Sequence, residues 1–169
     1  MLKRLTSAIL PMLFTSSLGL QVWAQEPEIP AAPVPPSIAR AKSVFVSNGG
    51  EESNFMDVRY AWYSGGPNRA YNQFYAALKA WGKYALAPEP GDADLVFEIA
   101  FNNKSNDLSQ IKLVIVDPKT HVTLWTVTKY AQVAGMAKNR EKNYNLAMGA
   151  LVDDLKALVS TPPSAATQK

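Results

Sequence analysis

Two stretches of the chain repeat their apolar residues with the period of an α-helix. In the first, which follows Pro67, positions i, i+3, i+4, i+7 and i+10 are Tyr71, Phe74, Tyr75, Leu78 and Trp81. In the second, residues 138–159, steps of four and three join Tyr144, Met148, Leu151, Leu155 and Leu158. Such a stripe is typical of a helix with one face against a core. Both stretches are therefore predicted helices, and Gly82 is a suitable C-cap for the first.

Elsewhere the apolar pattern alternates as in β-strands. Residues 95–101 place a large apolar side chain at every second position, which predicts a strand with one fully buried face. Residues 111–115 and 122–130 predict two more strands, joined as an antiparallel hairpin by a turn at Asp117 and Pro118. Residues 42–47 predict an earlier strand, which the sequence Asn-Gly-Gly at 48–50 is expected to end before an irregular segment.

Together these elements predict a two-layer α+β domain. Its mixed sheet has four or five strands, and two helices pack on one face, in the order β-α-β-β-β-β-α. The second strand of that order is the short run 84–87. No internal repeat is visible, so residues 38–159 are predicted to form a single domain, followed by a flexible tail at 160–169.

The first 24 residues have the order of a secretory signal peptide. Lys3 and Arg4 precede an apolar run of about 16 residues, and Val22 and Ala24 are the small residues at the first and last positions of the predicted cleavage site, with cleavage after Ala24. The alternative is a retained membrane anchor, but a spanning helix needs about 20 predominantly apolar residues. Residues 25–37 contain five prolines and are predicted to be a linker, with a ligand for a proline-binding module as the alternative.

Composition narrows the classes of partner. Removal of residues 1–24 would take away Lys3 and Arg4 and lower the net charge from +3 to +1, so the basic excess that nucleic-acid binding requires is missing. The chain has no cysteine, which excludes disulfides and a lipid anchor attached through cysteine. Stability must therefore come from the hydrophobic core, and the oligomeric state is left open.

The sequence offers no constellation that indicates catalysis, a cofactor or a metal. His121 is the only histidine and is placed at the hairpin turn, whereas metal sites draw on several ligands. Asp92 and Asp94 stand together at the start of a strand, where carboxylates more often bind local backbone amides than perform acid–base chemistry. We therefore predict that the protein is not an enzyme.

The segment before the first long helix is rich in aromatic residues. Tyr60, Trp62 and Tyr63 precede a Gly-Gly pair, and Arg69 follows it. Aromatic and arginine side chains are enriched where proteins bind one another, so these four residues are the candidate partner-binding site. The alternative is that the rings fold back and cap an open end of the core.

Several segments resemble small exported bacterial proteins of unknown function and, more distantly, envelope domains of the curli-secretion and penicillin-binding-protein-activator type. The matching segments are ADLVFEI at 93–99, LVIVDPKT at 113–120, LW at 124–125 and LVDDL at 151–155. These motifs describe strand packing and a turn, so no catalytic residue is implied. The chain departs from the lipoprotein members because it has no cysteine to acylate.

Two functions are compatible with these observations. The first is a non-enzymatic interaction module, exported to the periplasm or secreted, that binds a protein of the bacterial envelope. The second is a small-ligand-binding or hydrolytic domain with a pocket between the aromatic segment and the sheet, in which Glu98 would be the best candidate for a buried acid.

Overall fold

The structure is a computed structural model, which describes residues 32–53, 63–103 and 108–160. The described residues all belong to one compact unit. The predicted signal peptide, most of the predicted linker and residues 161–169 lie outside the described residues. The predictions for those segments, and the domain boundaries that depend on them, therefore stay predictions.

The described residues form a five-stranded mixed sheet covered by helices, which confirms the predicted α+β class. In chain order the elements are α1 Pro36–Arg40, β1 Ser43–Ser53, α2 Arg69–Trp81, β2 Ala85–Leu86, β3 Leu95–Asn103, β4 Leu108–Val116, β5 Thr123–Gln132 and α3 Ala137–Ser160. The strands lie in the order β2-β1-β3-β4-β5. β1 is parallel to both β2 and β3, whereas β3, β4 and β5 are antiparallel neighbours. The short helix α1 was not predicted.

The core lies between one face of the sheet and the helices α2 and α3. Alternate residues of β3 and β4 are fully or almost fully buried and pair across the sheet, as Phe97 does with Ile115, Ile99 with Leu113 and Phe101 with Ile111. The stripe of α3 is buried against them, as its period predicted, at Tyr144, Met148, Leu151 and Leu155. The opposite face of β3 and β4 is half-buried or exposed, so the domain has two layers.

Helix α2 ends where its sequence predicted. Gly82 adopts a left-handed conformation with φ 67°, and its N–H donates to the carbonyl of Leu78 at 3.0 Å. Phe74 and Leu78 are buried, whereas Tyr75, which the spacing placed on the same stripe, is 38% exposed. The buried face of α2 is therefore narrower than predicted.

Strand β1 is longer than predicted, because the Asn-Gly-Gly sequence at 48–50 does not end it. The register with β3 shifts between Asn48 and Glu51, and the strand then continues to Ser53. Gly50 has φ 82° at this bulge, and a Cβ on Gly49 would lie 3.0 Å from the Cβ of Ala100. The glycines thus permit a bulge and a close approach to β3 rather than a turn.

Candidate partner-binding site

Tyr63 is part of the hydrophobic core. It is 8% exposed, and its ring lies 5.4 Å, centroid to centroid, from the rings of both Phe101 and Tyr144. Its hydroxyl donates to Ser109 Oγ at 3.0 Å, and Ser109 in turn donates to Asn103 Oδ1 at 2.8 Å. Burial and a satisfied hydroxyl together fix this residue against the ends of β3 and β4.

Arg69 begins α2 and is 9% exposed. Its Nη1 lies 2.6 Å from a carboxylate oxygen of Glu141 and donates to the carbonyl of Ser64 at 2.9 Å. Its Nη2 donates to Asn145 Oδ1 at 3.0 Å, and the guanidinium carbon lies 4.0 Å from the centroid of the Tyr144 ring. Arg69 therefore joins the start of α2 to the first half of α3 through ionic, hydrogen-bonded and cation–π contacts.

Glu141, which lies on α3, also binds the segment that precedes α2. Its Oε1 accepts a hydrogen bond from the backbone N–H of Ser64 at 2.7 Å. Burial by itself raises the pKa of this carboxyl, but the Ser64 hydrogen bonds and the Arg69 guanidinium outweigh that effect, so the pKa lies below its ordinary 4.5. Glu141 is thus ionised at neutral pH and holds residues 64–69 against α3.

The lowered pKa of Glu141 predicts a loss of stability in acid. A carboxyl whose pKa is lower in the folded than in the unfolded chain stabilises the fold above its unfolded pKa, and this contribution is lost as the pH falls through the folded pKa. We expect the free energy of unfolding to decrease below about pH 4.5. Urea unfolding between pH 3 and 7, within roughly the carboxyl titration range, should show a weaker acid dependence in Glu141→Gln than in the unchanged chain. Equal slopes would show that Glu141 contributes nothing to it.

The hydroxyl groups of Tyr63 and Tyr144 differ in their hydrogen bonding. The Tyr63 hydroxyl is hydrogen-bonded, whereas the hydroxyl of Tyr144, which is 0% exposed, has no partner among the described residues. Removing a buried hydrogen-bond partner costs about 1 kcal/mol, whereas removing an unpaired hydroxyl relieves its desolvation. We expect Tyr63→Phe to lower the free energy of unfolding by about 1 kcal/mol and Tyr144→Phe to leave it unchanged or raise it. Chemical denaturation measures both, and a larger loss in Tyr144→Phe would contradict this assignment.

The four residues of the predicted site have different outcomes. Tyr60 and Trp62 lie outside the described residues, so their role stays a prediction. Tyr63 and Arg69 are brought together around Tyr144, where little of either side chain reaches solvent. For Tyr63, this burial favours the alternative in which its ring caps the core.

The structure also adds residues that the sequence did not indicate. Glu141 and Asn145 bind Arg69 from a helix more than 70 positions away in the chain. Their sequence signal is weak, since a polar first turn is equally typical of a solvated helix. The sequence therefore indicated Arg69 as a candidate but not Glu141, the carboxylate with which it forms an ion pair.

The other polar candidates have local roles or are exposed. Asp94 Oδ2 accepts the N–H groups of Lys42 and Ser43 at 2.8 and 3.0 Å, and these hydrogen bonds lower the pKa of its carboxyl. His121 is exposed and has a left-handed φ of 58° beside the turn between β4 and β5. Within residues 32–53, 63–103 and 108–160, no group of three or more His, Cys, Asp or Glu side chains is arranged to hold a metal ion.

Glu98 is not buried, contrary to its expected place in a pocket. It lies on the sheet face opposite the helices and is exposed. The Glu98 side chain borders a surface depression of about 450 Å³, whose lining residues are Pro90, Gly91, Val96, Glu98, Val116, Pro118 and His121. Because solvent reaches the carboxylate, Glu98 is not the buried acid that the small-ligand-binding or hydrolytic function would place in a pocket.

Comparisons with known proteins show a likeness of structure only. No protein-family model matches the chain, and no curated protein matches its sequence. The LpoB C-terminal domain from Salmonella enterica is 13% identical, with a TM-score of 0.39 over 59% of this chain and 96% of that one. The PelC dodecamer structure from Paraburkholderia phytofirmans is 15% identical, with a TM-score of 0.43 over 72% and 89%. Lipoprotein GNA1162 from Neisseria meningitidis is 17% identical, with a TM-score of 0.39 over 70% and 98%.

The solved structures to which the chain is similar thus include an LpoB domain, in line with the resemblance predicted from the sequence. At these identities and TM-scores, however, the likeness says nothing about what this chain binds. Among the described helices, none combines the length and apolar character that a membrane crossing demands.

Proposed function

We propose that this protein is a non-enzymatic interaction module of the bacterial cell envelope, which binds a protein partner after export. The proposal of export rests on residues 1–24, whose basic start, apolar run and small residues before Ala24 are typical of a signal peptide. The partner-binding residues are Tyr60 and Trp62, with Tyr63 and Arg69 acting as their support.

The observation that carries this proposal is the anchoring of the chain immediately after Trp62. Tyr63 is held in the core, Ser64 is held by Glu141, and Arg69 fixes the start of α2. Consecutive Cα atoms are about 3.8 Å apart, so the attachment point of the segment that contains Trp62 is fixed on the domain. A fixed attachment point lowers the entropy that the neighbouring residues lose when they bind a partner.

The absence of enzymatic activity is part of this proposal. The acidic candidates Asp94 and Glu98 are, respectively, a backbone cap and an exposed surface group. His121 is exposed at a turn rather than placed in an enclosed site beside a nucleophile. These placements favour binding over acid–base or nucleophilic chemistry.

The test is capture of the partner by the chain and by two variants. The full chain is expressed in an exporting bacterial host, purified as the host processes it, immobilised and exposed to a detergent extract of the native cell envelope. We expect mass spectrometry to find Gln25 at its N-terminus and one specific partner among the retained proteins. Trp62→Ala should lose that partner and keep its melting temperature. Tyr75→Ala, which removes an exposed aromatic ring of α2, is the matched control and should retain it.

Two outcomes would contradict the proposal. If Trp62→Ala retains the same partner as Tyr75→Ala, the aromatic segment is not the binding surface. If Trp62→Ala fails to fold, Trp62 caps the core in the same way as Tyr63. A small molecule that copurifies with the folded chain in native mass spectrometry would favour the alternative function, a small-ligand-binding or hydrolytic periplasmic domain, and the depression beside Glu98 is where it should first be sought.

A further inference from the structure

The two edges of the sheet are very different. One edge is β2, which has two residues, whereas the other is β5, which has ten. Among the described residues, no strand pairs with the outer side of β5. An edge strand of this length presents a row of unpaired N–H and C=O groups, and proteins normally protect such an edge.

Strand β5 lacks the usual protective features. Its sequence TLWTVTKYAQ contains no proline and is dominated by residues that favour strands. Its one charged residue is Lys129, whose ammonium lies 2.7 Å from a carboxylate oxygen of Asp154 on α3. The register shift with β4 falls between Ile115 and Val116, opposite the start of β5, so the strand is regular from Trp125 onward.

A groove follows the same edge, between β5 and the second half of α3. Its volume is about 330 Å³, and its lining residues are Trp125, Thr126, Val127, Thr128, Asp154, Ala157 and Leu158. Nearby Tyr130 is 60% exposed, which is unusual for a large aromatic ring. The edge thus offers backbone hydrogen-bonding groups and apolar contacts together, the combination that recognises an added strand.

We propose that the edge of β5 binds β5 of a second copy of this chain in antiparallel orientation, with the two-fold axis at Val127. In this register Thr126 lies opposite Thr128. Trp125 lies opposite Lys129. The result is one continuous ten-stranded sheet with the helices of both copies on the same face.

The register follows from the pattern of side chains on β5. Val127 and Ala131 face the helices, so only pairings of odd with odd and even with even positions keep both helical layers on one side. An axis at Lys129 would oppose two like charges, whereas an axis at Val127 opposes Lys129 to an aromatic ring. Thr–Thr pairs are also favourable across antiparallel strands. The edge is therefore complementary to itself.

Charge substitutions at Thr126 and Thr128 test both the interface and its register. These residues oppose each other across the proposed axis, so Thr126→Lys with Thr128→Lys places like charges opposite at two points. Thr126→Lys with Thr128→Glu places opposite charges at the same points. By sedimentation velocity, we expect the processed full chain to be a dimer, and the Lys/Lys variant to have a dissociation constant raised at least about tenfold. The Lys/Glu variant should remain dimeric, and circular dichroism should be unchanged in both.

Cysteine cross-linking supplies an independent measurement, because the chain has no cysteine of its own. Val127→Cys puts two sulfurs across the proposed axis, where antiparallel Cα separations of about 4.5–5.5 Å permit a disulfide. It should form a cross-linked dimer under mild oxidation. Leu146→Cys, on an exposed position of α3, is the control and should not.

Some results would overturn the self-pairing proposal without touching the proposed function. The first is that the unchanged chain is a monomer over the micromolar range. The second is that the Lys/Lys variant dimerises as well as the Lys/Glu variant. The third is that no cross-link forms through position 127. Partner capture that depends on Trp62 could still succeed in each of these cases. Equally, a β5 dimer without any envelope partner would leave this interface in place and remove the proposed function.

Discussion

Replacing Arg69 with alanine is expected to lower the free energy of unfolding by about 3–5 kcal/mol. The guanidinium is buried, and its removal leaves the Glu141 carboxylate without its ionic partner in a site where that carboxylate is also largely shielded. The same change leaves the Ser64 carbonyl and the Asn145 amide oxygen without the donors that Arg69 supplies. It further removes the cation–π contact with Tyr144. Breaking a buried pair from one side is costly for these combined reasons.

A double-mutant cycle separates the charge from the packing. Urea unfolding of Arg69→Ala, Glu141→Gln and the double variant should give a coupling energy above about 1 kcal/mol, because the two groups act as one unit. Arg69→Lys keeps the charge but not the planar fork of donors, so it should recover part of the loss and not all of it. Additive single effects would show that the ion pair with Glu141 contributes nothing to the stabilising role of Arg69.

Replacing Phe97 with alanine is expected to cost a similar amount, about 3–5 kcal/mol. Phe97 is 0% exposed at the centre of β3, with its ring 6.3 Å from the ring of Phe74 on α2 and 5.5 Å from that of Tyr84. These neighbours belong to separate elements, so they are unable to collapse fully into the space left behind. Since whole domains are stable by about 5–15 kcal/mol, a large part of the total would be lost.

The matched control for this variant is the preceding residue of the same strand. Val96 lies on the opposite face and is half-buried, so Val96→Ala removes less buried surface and should cost about 1 kcal/mol or less. Thermal and urea unfolding measure both variants. Equal losses would mean that the two faces of β3 are equally packed and that the two-layer description is wrong.

The sequence predicted the C-terminal half of the fold well. β3, β4 and α3 carry clean periodicities because one side of each faces a single core. The bulge in β1 was missed, since an Asn-Gly-Gly sequence favours a turn by local preference and only the neighbouring strand makes a bulge the better solution. Helix α1 was not predicted because, like the bulge, it depends on contacts outside its own segment. Its sequence begins with Pro36, and its stabilising contact is the burial of Ile38.

The sequence alone did not predict whether the candidate-site residues Tyr63 and Arg69 are exposed or buried. An aromatic residue next to glycine is equally compatible with an exposed anchor and a core cap, because the residue types are the same. For Tyr63, the choice depends on Phe101 and Tyr144, which are distant in the chain. For Arg69, it depends on Glu141. Long-range pairings of this kind leave no periodic trace in the sequence.

The position of β1 between β2 and β3 has a consequence for the order of folding. Val44 pairs with Leu95, 51 positions later, whereas β3, β4 and β5 are neighbours in the chain and in the sheet. Closing the longer loop costs more chain entropy before its contacts form, so we expect the β3–β5 meander and α3 to form first. Pulsed hydrogen exchange should then show the amides of β1 protected last, and earlier protection of β1 would exclude this order. The N-terminal part of the domain would thus be synthesised first and become structured last.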